Sequence, residues 1–221
     1  MSESLAWHSP RAWITLLTVL ILALSADLWT KSWAFESVTG VPVLLEPREV
    51  VCESSFRLPW HAGVRAIPPD LLDFHLVINH GAVFGIGQNA RGLFIGFTLV
   101  AVAVGVFIFG WWTRARSVWA HIAIGLILAG GLGNLYDRVA FGAVRDFLYM
   151  FPRRNLPFEM HWPGGSTEIF PWVFNLADVL LLAGMALLIV QSRKEDQHRA
   201  ALDRDESAGA GEIRNTQPLG E

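Results

Sequence analysis

The chain has 221 residues, of which 52% are hydrophobic and 17% charged, with a net charge of -3 and a mean hydropathy of +0.39. Soluble domains carry about 25% charged residues, so the deficit points to lipid as the solvent, and the near-neutral balance offers nucleic acid no basic surface. The single cysteine, Cys52, excludes an intrachain disulfide and any zinc site built on several thiolates.

Four segments are long and apolar enough to span a bilayer, which takes about 20 residues. The first runs from about Ala12 to Trp29, with Asp27 near its end. Arg11, the apolar run and Ala23-Leu24-Ser25 also resemble a cleavable signal peptide. Three further spans make its removal unnecessary for targeting, so it is read as a retained helix. Next comes a polar stretch, Phe35 to Arg91, with several prolines and β-prone runs at Val41–Leu45 and His75–Ile78. It reads as an outer loop with some strand and a short surface helix. Cys52, preceded by a bulky Val51 where a lipid-attachment site would want a small residue, reads as a bystander in it.

The second span, Gly92 to Trp112, carries no charge, and the link to the third is only Thr113-Arg114-Ala115-Arg116-Ser117. The third, Val118 to Tyr136, holds one histidine, His121, and small residues every fourth position at Gly125, Ala129 and Gly133. That spacing lets helices approach closely in lipid. A second outer loop, 141–168, is rich in Pro, Gly and aromatics. The fourth span, Ile169 to Val190, holds one charge, Asp178. Residues 192–221 are charged and poor in aromatics, and are expected to form a disordered cytoplasmic tail. The expected fold is therefore an all-α membrane protein: one domain over 1–191, four transmembrane helices, and a small, partly β extramembrane platform in the first outer loop. The short basic link and Arg193-Lys194 put both termini in the cytoplasm. Trp29, Trp33, Trp111, Trp112 and Trp172 are expected near the interfaces.

Ionisable groups at a span are costly and are functional candidates by default. Here they collect at one end of the bundle: Asp27 and Lys31, then Asn134, Asp137 and Arg138, then Asp146, then Asn175 and Asp178. Asp27 and Lys31 are i,i+4 and share a helix face, as do Asn134 and Arg138. For Asp27, Lys31, Asp137 and Arg138 a purely structural network competes with a functional role, Asp137 being expected to hold Arg138. It competes less well for Asp146 and Asp178, carboxylates with no cation at helical spacing. Arg145 neighbours Asp146 but should point elsewhere. His-Glu-x-x-His and Gly-x-Ser-x-Gly motifs are absent from the sequence, and the only lysines are Lys31 and Lys194. Two carboxylates sharing a proton remain, which suffices to activate water and protonate a departing amine.

At these residues the sequence resembles the prolipoprotein signal peptidase (signal peptidase II) family. Asp27-Leu28-Trp29-Thr30-Lys31, Asn79-His80-Gly81-Ala82-Val83-Phe84-Gly85 and Gly130-Gly131-Leu132-Gly133-Asn134-Leu135-Tyr136-Asp137-Arg138 are similar to its first three blocks. Gly142-Ala143-Val144-Arg145-Asp146-Phe147 and Phe174-Asn175-Leu176-Ala177-Asp178 are similar to the last two. The resemblance implies Asp146 and Asp178 as the catalytic pair. It implies Asn79, Asn134, Arg138 and Asn175 as lining, and Asp27, Lys31, Gly81 and Asp137 as support. It further implies cleavage of lipoprotein precursors just before a diacylglyceryl-modified cysteine, at the outer face of the bacterial inner membrane, with no metal or other cofactor. A monomer in contact with membrane lipid is expected. Two stretches are longer than the family pattern; Cys52–Asp70 and Phe151–Glu168 would alter a lid and bear on substrate preference.

Two other readings compete. A small proton- or cation-coupled transporter also uses intramembrane carboxylates, but here they cluster at one face rather than the midplane. A catalytically dead scaffold would leave the paired aspartates and their Asn/Arg surround without purpose.

Overall fold

The computed structural model describes residues 4–43, 45, 58–81 and 91–215. Cys52 and the Ala82–Gly85 part of the second block lie outside the described residues. The helices are α1 (Pro10–Ser37), α2 (Arg91–Phe107, continued by a π turn over Ile108–Trp112), α3 (Val118–Ala140) and α4 (Leu176–Asn215). Each has a segment long and apolar enough to cross a membrane: Pro10–Ser37, Arg91–Trp112, Val118–Ala140 and Leu176–Lys194.

Local chemistry sets the first boundary. Ser9 caps α1 by accepting the Ala12 N–H at 3.3 Å, and Pro10 fills the first helical position, where its missing N–H costs nothing. Beyond Trp29 the helix runs on to Ser37, because Ala34 and Phe35 are buried with Val38, Val43, Leu76 and Phe147 under the extramembrane platform. The N-terminal segment is tied to the link between α2 and α3 by Ala6 N–H to Thr113 O at 3.0 Å and Ala115 N–H to Ser4 O at 2.9 Å. Trp7, Trp13, Phe109 and Trp111 pack together at that end.

In lipid, helices gain little from burying apolar surface against each other, so backbone proximity does the packing. α3 is the central helix, and its glycines face its neighbours. A Cβ at Gly125 would meet Val19 and the Leu16 carbonyl of α1, and one at Gly130 would strike the Ala177 carbonyl and Leu181 of α4. Trp29, Trp111 and Trp112 are exposed near helix ends, whereas Trp33 packs edge-on against Phe74 of the platform at 5.1 Å.

The platform is a four-stranded antiparallel sheet in the order β1 (Val64–Ile67), β2 (Leu72–Asn79), β3 (Val144–Met150), β4 (Val173–Phe174). Both long loops build it, not the first alone. His75–Ile78 lies in β2. Among the described residues of 35–91 neither Val41–Leu45 nor any surface helix forms regular structure beyond the end of α1. The start of the fourth span also differs from expectation. Apolar Ile169–Phe174 is extended rather than helical, because Val173 and Phe174 pair with Tyr149 and Leu148, and α4 begins only at Leu176. At its other end α4 continues to Asn215 through the stretch expected to be disordered. Residues there are rich in Ala, Glu, Asp and Arg, with no proline before Pro218, which supports continuation of the helix.

Candidate active site

β3 alternates its side chains between two environments. Arg145 and Phe147 turn toward the end of α1 and the α3 terminus, while Val144, Asp146 and Met150 line a cavity. Val77 of β2 is the partner of Asp146, and Asn79 pairs with Val144. Asn79 is therefore the diagonal neighbour of Asp146 on the same face. Its amide donates to Asp146 Oδ2 at 2.9 Å.

Asp178 reaches the same cavity from the third position of α4. Asn175, just before the helix, accepts the Asp178 N–H on Oδ1 at 3.3 Å, and Asp178 Oδ2 accepts the Asn175 N–H at 3.1 Å. This reciprocal pair is a capping box with aspartate in the usual glutamate position. Asp178 Oδ1 also accepts from Asn134 Nδ2 at 2.9 Å. The Asn175 side-chain amide donates to Asp146 Oδ1 at 2.5 Å and to Asn134 Oδ1 at 3.1 Å.

All three asparagines have the carbonyl of the amide occupied elsewhere. Asn79 Oδ1 accepts from the Gly81 N–H at 3.0 Å, Asn134 Oδ1 from Lys31 Nζ at 3.0 Å, and Asn175 Oδ1 from Asp178 N–H. Each NH2 group is thereby committed to a carboxylate, so the polarity of the site follows from its surroundings. Burial, reinforced by the negative charge of Asp178, pushes the Asp146 carboxyl up to about 7 against the opposing amide donors.

Behind this layer sits a buried ionic one. Lys31 pairs with Asp27 at 2.8 Å and Asp137 at 3.5 Å, all three side chains being inaccessible. Asp27 Oδ1 crosses to α4 and accepts the Ala177 N–H at 2.8 Å, satisfying one of the orphan donors of that helix end. Gly133 makes this possible, because a Cβ there would collide with the Asp27 carboxylate. Asp137 does not hold Arg138. It holds Arg145, accepting Nε at 3.2 Å and Nη2 at 2.8 Å on Oδ1 and the Arg145 backbone N–H at 3.0 Å on Oδ2. Arg138 instead donates to the Asn134 and Gly81 carbonyls at 3.3 and 3.4 Å and stacks on Phe94.

The cavity measures about 980 Å³. Of the residues singled out in the sequence, Asn79, Gly81, Asn134, Arg138, Asp146 and Asp178 line it, and Asn175, Asp27, Lys31 and Asp137 stand behind. All ten belong to one connected network. Sequence reasoning missed Arg145 as a member of it, Ser32, which accepts from Arg145 Nη1 at 3.4 Å, and an aromatic wall of Phe170, Trp172 and Phe174. Alternation in Phe170-Pro171-Trp172-Val173-Phe174 was the available signal for that wall. From Asp178 the cavity continues down α4 past Leu181 and Leu182 to Met185, and Leu182 and Met185 are exposed.

A family model described as signal peptidase (SPase) II matches residues 19–194. A lipoprotein signal peptidase of Desulfitobacterium hafniense is 31% identical over 166 residues, covering 75% of this chain and 89% of its own. One of Pseudomonas fluorescens is 35% identical over 129 residues, covering 57% and 68%. Among solved structures, a bacterial membrane enzyme determined by the in meso method superposes with a TM-score of 0.60 at 22% identity, covering 90% of this chain and 96% of that one. That likeness supports the fold, and with the family match over most of the chain it leads to one conclusion: the chain belongs to the signal peptidase II family.

Proposed function

We propose that this protein is an aspartic endopeptidase that removes the signal peptide from lipoprotein precursors, cutting just before the diacylglyceryl-modified cysteine. Family membership supports signal-peptide removal. The observation that carries the aspartic mechanism is the placement of Asp146 and Asp178 on the wall of one cavity, each carboxylate held by asparagine amides. The cavity's extension along exposed Leu182 and Met185 supports a substrate that arrives from the bilayer as lipid.

Two close carboxylates in a partly desolvated site keep one proton between them. Burial raises the Asp146 carboxyl to about 7, which supports its holding the shared proton below that pH. Asp178 takes a proton from a water molecule, and the resulting nucleophile attacks the scissile carbonyl. Asp146 donates a hydrogen bond to the developing oxyanion. As the tetrahedral intermediate breaks down, a proton passes to the departing amine and the C–N bond opens. Arg138, on the same wall, adds positive charge facing the oxyanion. The enzyme works as a monomer in the bacterial inner membrane, both termini cytoplasmic and the cavity at the outer face. The reading is tested by incubating the purified protein with matched precursors, with and without the diacylglyceryl group, and sequencing the new amino terminus. Cleavage of only the modified precursor, leaving cysteine first, is expected; cleavage elsewhere, or none, contradicts it.

A further inference from the structure

The aromatic wall of the cavity follows directly on the loop at 151–168, one of the two stretches expected from sequence to be longer than the family pattern. Phe170, Trp172 and Phe174 all line the cavity with Asp146 and Asp178, Phe174 from β4 and the other two from the non-helical segment just before it. Their rings form a ladder, Phe174 to Phe170 at 5.7 Å and Phe170 to Trp172 at 5.2 Å. Its outer rung is Trp162, edge-on to Trp172 at 4.8 Å, and Trp162 is not itself a lining residue.

Trp162 is fixed by the long loop. Its backbone N–H donates to the Ser166 carbonyl at 2.9 Å and its indole N–H to the Glu168 carbonyl at 2.9 Å. The loop is closed as a hairpin by Leu156 N–H to Thr167 O at 2.7 Å and Ile169 N–H to Arg154 O at 2.8 Å. Arg153 ties the hairpin to Asp70 and Asp73 at 2.7 and 2.8 Å. Trp162, held in a pinned hairpin, thus braces one wall of the cavity through Trp172.

The position of that wall says which part of a substrate it meets. Acyl chains and the apolar core of a signal peptide belong in the hydrocarbon, along the α4 side past Leu182 and Met185. The aromatic ladder lies before the first residue of α4, beyond the apolar span. The part of the precursor outside the hydrocarbon is its mature side, starting at the residue after the lipidated cysteine. Aromatic faces carry negative quadrupole density, which attracts cations and apolar groups and repels carboxylates. The two aspartates beside the wall act in the same direction.

We propose that Trp172, braced by Trp162, is a specificity-determining residue that reads the side chain following the lipidated cysteine, favouring apolar and cationic residues over acidic ones. This rests on the peptidase reading given above. The test is steady-state cleavage of three diacylglyceryl-modified precursors that differ only in that residue: Leu, Lys or Asp. Wild-type enzyme is expected to favour Leu and Lys over Asp by about threefold or more in kcat/KM. Trp172→Ala flattens the ratio, mainly through KM. Trp162→Ala flattens it partly, and Trp172→Phe, which keeps an aromatic face, retains the preference. Cleavage by the wild type without discrimination, or an unchanged ratio in Trp172→Ala, overturns this inference while leaving the peptidase reading intact. So does a change in preference between acyl-chain lengths instead. No cleavage of any of the three overturns both.

Discussion

Asn175 and Asp178 hold one another across the first turn of α4: the side chain of each accepts the backbone N–H of the other, at 3.3 and 3.1 Å. A helix cap is thus fused to a proposed catalytic carboxylate, and the same asparagine donates to Asp146 at 2.5 Å. Asn175→Ala should cost about 1 kcal/mol of stability through the lost cap and lower kcat about 10²-fold through misplaced carboxylates. Asn175→Ser retains an acceptor for the cap but not the amide donor. It should keep more of the thermal midpoint and still lose activity. Unfolding curves and kcat of the two variants separate the roles.

Asp137 neutralises two buried cations, Arg145 at 2.8 Å and Lys31 at 3.5 Å. Removing one partner of a buried pair leaves uncompensated charge and costs about 3–5 kcal/mol. Asp137→Ala should therefore lower the unfolding midpoint strongly. Asp137→Asn, which keeps an acceptor for Arg145, should be less stable than wild type yet retain some cleavage. Its measure is activity per folded molecule at a temperature below both midpoints.

Two glycines of α3, Gly131 and Gly133, should behave oppositely. A methyl group at Gly133 collides with the Asp27 carboxylate, whereas one at Gly131 meets only Thr98 and Val102 at 3.8 and 4.0 Å. Gly133→Ala should displace Asp27 from Ala177 and Lys31 and abolish cleavage or folding. Gly131→Ala should be tolerated and gain up to about 1 kcal/mol from helix propensity. Expression, thermal midpoint and cleavage of both variants decide it.

The spans were legible because hydrocarbon demands a long apolar run, and polar residues at their ends stand out against that demand. Their ends were less so. α1 continues through Trp33, Ala34 and Phe35 because these side chains meet a platform whose position no local pattern encodes. Ile169–Phe174 is apolar enough for a helix, and only its pairing with β3 makes it extended. The residues that gather at the candidate site were legible one by one, but their links were not. Lys31 and Asn134 lie 103 positions apart, and Asn79 and Asp146 lie 67. The expectation that Asp137 holds Arg138 failed because adjacent residues on a helix point about 100° apart, while β3 brings Arg145 to Asp137 from elsewhere.

The pH dependence follows from the raised Asp146 carboxyl. It holds its proton below about 7 and loses it as the pH rises through that value. Above it the acid of the pair is gone, so kcat/KM should fall on the alkaline side of about pH 7, by up to about tenfold per unit. A profile of the purified enzyme that stays flat to about pH 9 is incompatible with this assignment.

The most direct measurement of the central claim is cleavage of a diacylglyceryl-modified precursor by purified wild type, Asp146→Asn and Asp178→Asn, each shown to be folded by its thermal transition. Asparagine keeps the shape of each side chain and removes its acid–base function. Wild type should release the signal peptide just before the lipidated cysteine, and each variant should lose about 10²–10⁴-fold or more in rate. Full activity in either folded variant, free of wild-type enzyme, would contradict the account.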